Sequence, residues 1–145
     1  MNITVFKNKL SHVKQGIDSL KESLLVAEKN KQPDLVDIFR DSNIQRFEYS
    51  FELSWKFMKF VLEKYESELE IRSPRQVLKA AFRTGYIDDL QAWFHMCDDR
   101  NATSHEYEED TAMQVYKNIP KAFEQMQKFY ELIQQKYEQG YFNSN

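Results

Sequence analysis

Cysteine occurs once, at Cys97, so no intramolecular disulfide can staple this chain. Glycine and proline are equally scarce, three of each in 145 residues. So few turn-formers exclude collagen-like repeats, low-complexity disorder and a turn-rich barrel of short strands. No segment approaches the roughly 20 uncharged apolar residues that cross a bilayer. No N-terminal run joins basic residues to a long apolar stretch and a cleavage site, so the expectation is a cytoplasmic protein without a membrane span. Positive charge is also in short supply, with 20 Lys and Arg against 23 Asp and Glu. The whole-molecule field therefore does not attract nucleic acid, and any phosphate binding must be local. His95 and Cys97 form a lone His-x-Cys pair with no second cluster at zinc-site spacing, so neither a structural metal nor a cofactor is expected.

What the chain has in quantity is core material, 41% hydrophobic and 14% aromatic, at a length that suits one domain over 1–145. Ile3, Phe6, Leu10, Val13, Ile17, Leu20 and Leu24 alternate spacings of three and four, which winds one apolar seam along a helix. His12 lies off that seam and reads as an exposed histidine. After a polar break at 30–33, a second long helix carries Ile44, Phe47, Phe51, Trp55, Met58, Leu62 and Tyr65. Its start is open, because Leu35 to Phe39 can already be helical while Ser42 and Gln45 have capping-box form. A second row, Tyr49, Leu53, Phe57 and Phe60, suits a thick core or a subunit interface. Glu48, Glu52 and Lys56 stand at i,i+4 steps and read as a solvated or interface ion-pair patch.

Ser73, Pro74 and Gln76 supply a capped helix start and Gly85 a stop, which predicts a short helix over about Pro74 to Thr84. Asp88 with Gln91 is expected to open the next, with Leu90, Trp93, Phe94 and Cys97 inward. The last helix follows Tyr107, with Glu108, Glu109 and Asp110 complementing its dipole, Pro120 bending it and Gly140 ending it. No strand-like alternation competes. The predicted fold is all-α, an antiparallel up-and-down bundle of three long and two short helices.

Between the fourth and fifth helices, Arg100-Asn101-Ala102-Thr103-Ser104-His105-Glu106-Tyr107 gathers guanidinium, imidazole, hydroxyl and phenol groups, as no other stretch does. Arginine presents five rigid donors to phosphate oxygens, and histidine takes up and releases protons near neutrality. Together they can bind a phosphodiester and move protons on it without a metal. The structural alternative is equally concrete: Asn, Thr and Ser cap helices, and an arginine can close the carbonyls of the preceding one.

This string resembles the Arg-x4-His-x-Tyr motif of the HEPN superfamily, the higher eukaryotes and prokaryotes nucleotide-binding domain. The chain as a whole resembles its nucleotidyltransferase substrate-binding, or HepT-like, branch, through residues 44–48 (Ile-Gln-Arg-Phe-Glu), 52–56 (Glu-Leu-Ser-Trp-Lys), Ser73-Pro74-Arg75, Arg100-Asn101 and Ser104-His105. The resemblance implies a homodimer with two Arg-His sites in a cleft, working beside a small nucleotidyltransferase on a nucleotide or RNA ligand. In one reading the chain is an accessory subunit that holds substrate for that transferase. In the other it is a metal-independent RNase toxin that the transferase neutralises by placing AMP on the motif tyrosine. Carried across, Arg100 binds phosphate, His105 acts as base or acid, Asn101 orients them, Ser104 contributes to binding, and Tyr107 is the candidate acceptor. The chain itself lacks a glycine-rich phosphate loop and a paired-Asp polymerase signature, so it is not read as the transferase's catalytic subunit.

Charge argues against unaided RNA binding by the loop, since Asp98, Asp99, Glu106, Glu108, Glu109 and Asp110 surround one Arg and one His. A third possibility is a purely structural dimeric bundle whose motif serves only as helix-capping chemistry.

Overall fold

The computed structural model describes residues 3–143 as five helices joined by short connections. They are α1 (Ile3–Lys29), α2 (Val36–Tyr65), α3 (Pro74–Arg83), α4 (Leu90–Thr103) and α5 (Glu109–Glu138). No strand occurs among the described residues. The α1 seam is in place, with Phe6, Leu10, Val13, Ile17 and Leu20 all buried and His12 exposed. Helices α1 and α2 approach closely at Gly16, where an added Cβ would meet Leu53 Cδ1 at 3.0 Å. There the Ser50 hydroxyl donates to the Gly16 carbonyl at 2.7 Å.

Helix α2 begins at Val36 with no side-chain cap, so Ser42 and Gln45 lie inside the helix rather than at its start. This helix packs against all four others, which widens its buried face beyond a single stripe. Phe57 and Val61 are fully buried in consequence, while Trp55 and Tyr65, read from the sequence as core, are only half-buried. The second row of α2 therefore belongs mostly to a thick core, and only Tyr49 turns outward, 58% exposed.

The capping box of α3 forms as expected: Ser73 accepts from the Gln76 amide, and Gln76 Oε1 accepts from the Ser73 amide at 3.1 Å. Gly85 supplies the left-handed stop at φ +87°. The expected start of α4 needs correction. Asp89 caps it, accepting from the Ala92 amide at 3.0 Å, and Asp88 instead pairs with Lys128 of α5 at 2.6 Å. The two adjacent aspartates are equivalent by type, and in the fold Asp89 caps while Asp88 reaches across to α5. Helix α5 runs through Pro120, and Gly140 at φ +80° follows its end.

Beyond that end the chain folds back so that Phe142 packs on Phe6 at 4.5 Å between ring centroids. The Tyr86 and Tyr141 hydroxyls both donate to Glu66 Oε2, at 2.8 and 2.7 Å.

Candidate functional site

Arg100 lies in the last turn of α4, beside α2. Its Nη2 stands 3.1 Å from Glu52 Oε1, and the pair keeps about a quarter of its side-chain surface, 26% and 28%. One turn on, the buried Thr103 hydroxyl donates to Glu48 Oε2 at 2.9 Å. The two α2 carboxylates that the sequence suggested as a separate patch are thus one wall of the Arg100 site. The expected Glu52–Lys56 pair also forms, at 3.4 Å, so Glu52 bridges an arginine and a lysine. The sequence signals for this wall were the i,i+4 spacing on α2 and the two family-like stretches, 44–48 and 52–56, that contain Glu48 and Glu52.

An open groove of about 300 Å³ results, lined by Glu48, Tyr49, Glu52, Arg100, Thr103 and Ser104. Arg100 Nε is buried and has no hydrogen-bond partner, whereas Nη2 faces the groove wall. Ser104 caps α4 and its hydroxyl donates back to the Asn101 carbonyl at 2.9 Å. Part of the structural alternative is therefore present: Ser104 and Thr103, which also reaches the Asp99 carbonyl at 3.1 Å, close the helix end.

The rest of the motif is divided. Asn101 is exposed on the last turn of α4, and His105 is exposed beyond it, outside the residues that line the groove. Tyr107 turns back and packs half-buried against the core. Burial above all raises its phenol pKa, with Asp41 and Glu48 adding to the shift and Arg40 opposing it. The phenol therefore lies within the fields of Glu48 and Asp41 rather than among the groove residues.

The six acids of the loop are also unequal. Asp98 is taken by Arg75 of α3 at 2.7 Å. Asp99 accepts from Asn118 Nδ2 at 3.0 Å, and burial raises its pKa above the usual carboxylate range despite that hydrogen bond. Glu109 pairs with Arg40 of α2 at 3.5 Å, which ties the start of α5 to the start of α2. Among the described residues no group of three or more His, Cys, Asp or Glu is placed to hold a metal, and Cys97 is a buried free thiol. No described helix is long and apolar enough to cross a membrane.

Comparison with known proteins fits this bundle. The family model described as "Nucleotidyltransferase substrate binding protein like" matches residues 6–135. The chain belongs to this family. Within it the HepT-like resemblance is supported by a Haemophilus influenzae protein named "Probable ribonuclease HepT", 37% identical over 92 residues. That match covers 61% of this chain and 63% of the relative, so the chain spans less than two thirds of that protein. Two solved structures share the fold. The Haemophilus influenzae protein HI0074, described as revealing the fold of a substrate binding domain of a nucleotidyltransferase, aligns with TM-score 0.75 at 28% identity, over 84% of this chain and 96% of that one. A Thermus thermophilus protein aligns with TM-score 0.69 at 32% identity, over 81% and 94%.

Proposed function

We propose that this chain is the nucleotide- or substrate-binding accessory subunit of a two-component nucleotidyltransferase, and that it acts as a homodimer. The observation that carries the reading is the groove that Arg100, a quarter exposed, lines beside Ser104, with Glu52 holding the guanidinium in place. A guanidinium held by one carboxylate keeps further donors for phosphate oxygens. Arg100 binds the phosphate, Asn101 adds a donor at its edge, and Ser104 contributes once its hydroxyl turns from the Asn101 carbonyl to the ligand. His105, outside the groove in this chain, joins the ligand when the bend closes or a second copy supplies it. Tyr49, the exposed aromatic of the groove, offers a face on which a base can stack. Tyr107 is the acceptor if the partner transferase modifies this subunit.

The test is association with a small nucleotidyltransferase of the same genome. A complex at micromolar concentration, with nucleotide binding lost in Arg100→Ala, is the expected result. Two purified proteins that stay apart at that concentration would remove the reading.

The second reading, a metal-independent endoribonuclease, is favoured by the complete Arg100-x4-His105-x-Tyr107 pattern and by the name of the Haemophilus relative. Its difficulty within one chain is that the imidazole lies outside the groove that holds the guanidinium. Cleavage then needs loop closure or the imidazole of a second copy. It predicts EDTA-resistant cutting of RNA that leaves a 2',3'-cyclic phosphate and is abolished in His105→Ala. Wild-type protein that never cuts RNA, alone or dimeric, excludes it.

A further inference from the structure

The motif places one arginine among carboxylates, and phosphate affinity grows with the number of cations brought to the ligand. Helix α3 brings a second arginine to the same part of α4. Ser73 caps α3 and Pro74 starts it, so Arg75 leaves the first turn in a set direction. Its guanidinium lies over the Phe94 ring, 4.6 Å from the centroid, and its Nη1 donates to Asp98 Oδ1 at 2.7 Å. Phe94 and Asp98 both flank Cys97, which precedes Arg100 by less than one helical turn. The buried Cys97 lies between these contacts along α4. Burial is the main cause of its raised pKa, and it also lies within the fields of Arg75, which lowers it, and of Asp98 and Glu52, which raise it. Glu52 is the carboxylate that holds Arg100. Arg75 from the α3 side and Arg100 from the α2 side therefore converge on one short stretch of α4.

We propose that Arg75 is a second phosphate-binding residue, which with Arg100 holds neighbouring phosphate groups of one ligand, either an RNA strand or the polyphosphate of a nucleoside triphosphate. This rests on reading the Arg100 groove as a phosphate site. Both ends of the Arg75–Asp98 pair are about half exposed, 46% and 56%, so a ligand can reach the guanidinium. Stacking on Phe94 already restricts the side chain, so little further conformational entropy is lost when phosphate binds. Asp98 engages one terminal nitrogen and the Cys97 thiol is a second, weaker partner, so of the five guanidinium donors some remain for a ligand. Lys56, exposed and 3.4 Å from Glu52, extends the cationic edge on α2. Asp98 and Glu52 stay beside the two guanidiniums and oppose the ligand's charge.

The experiment measures binding of the full chain to a short fluorescein-labelled single-stranded RNA, and separately to ATP, from about 50 to about 200 mM salt. Arg75→Ala, Arg75→Lys, Asp98→Asn and Arg100→Ala are compared, with thermal melts on each. Arg75→Ala is expected to weaken binding roughly fivefold or more and to lower the salt slope by about one. Arg75→Lys should retain part of the affinity, and Asp98→Asn, which frees the same guanidinium, should keep or raise it. An effect on the RNA arm alone assigns strand phosphates, and one on the ATP arm alone assigns the polyphosphate. If Arg75 only clamps α3 to α4, Arg75→Ala and Asp98→Asn lower the melting temperature alike and leave both affinities unchanged, which overturns the proposal. A loss in Arg100→Ala with none in Arg75→Ala removes Arg75 and leaves the groove reading in place. Unchanged binding in Arg100→Ala removes the groove reading itself.

Discussion

Glu52→Gln removes a negative charge from the groove while keeping the length and shape of the side chain. The carboxylate stands 3.1 Å from Arg100 and 3.4 Å from Lys56, so two effects of opposite sign follow. The Arg100 pair keeps 26% and 28% of its side-chain surface and the Lys56 end is 65% exposed. Pairs this wet contribute about 1 kcal/mol or less to folding, so the melting temperature should fall by only ~2–4 °C. A phosphate seated on Arg100 meets the same carboxylate at close range. Two unit charges about 4 Å apart interact by about 1 kcal/mol in water and about 4 kcal/mol at an effective dielectric of about 20. An open, salt-bathed groove lies near the lower figure, which converts to a gain of roughly fivefold in phosphate affinity. Titration of RNA and of ATP against both proteins at low and high salt reads this directly, and the gain should shrink as salt rises. If affinity instead drops in Glu52→Gln as far as in Arg100→Ala, the carboxylate aims the guanidinium rather than competing for it, and the charge argument is refuted.

Phe6 is fully buried and its ring centroid lies within 6.5 Å of those of Phe57, Phe60, Tyr65, Tyr137 and Phe142. Phe6→Ala should therefore cost about 3–5 kcal/mol in urea unfolding; a loss below about 1 kcal/mol would show that the cluster is not a cooperative core. Thr103→Val keeps shape but takes the donor from Glu48, and should cost about 1–2 kcal/mol by the same measurement. An unchanged midpoint would mean that water replaces the hydroxyl without penalty. Burial first, then the hydrogen bond to Glu66, raises the Tyr86 phenol far above its ordinary range. A pKa higher in the folded than in the unfolded chain gives stability that is complete below about pH 10 and lost as pH climbs above it. Melting curves should fall above about pH 10 and fall less steeply in Tyr86→Phe, although Tyr65, Tyr107, Tyr130 and Tyr141 are also raised and keep part of the slope. Identical slopes would contradict the burial account.

The elements were legible from sequence because helix formation and capping are local. Side-chain spacing along α1, the Ser73–Gln76 box and the glycine after α3 each act within a turn of backbone, and all appear as expected. The type of chemistry near the α4–α5 bend was legible for the same reason, since adjacent residues cannot be far apart. Which partners those residues meet was not. Glu48 and Thr103 are separated by 55 positions, and nothing in either neighbourhood says that one takes the hydroxyl of the other. Asp88 and Asp89 are chemically alike, and only the fold shows that one meets Lys128 while the other caps. Trp55 is less deeply buried than expected and Phe57 resolves to the thick core because α2 is enclosed by four helices, a matter of rotation about its axis that periodicity alone leaves open. By itself the sequence determined five rods and a bend that carries an arginine, a histidine and a tyrosine. Only the packing of α2, α3 and α4 turned the guanidinium toward Glu52, left the imidazole outside the groove and drew the phenol against the core, because contacts between helices depend on how their faces are rotated and stacked.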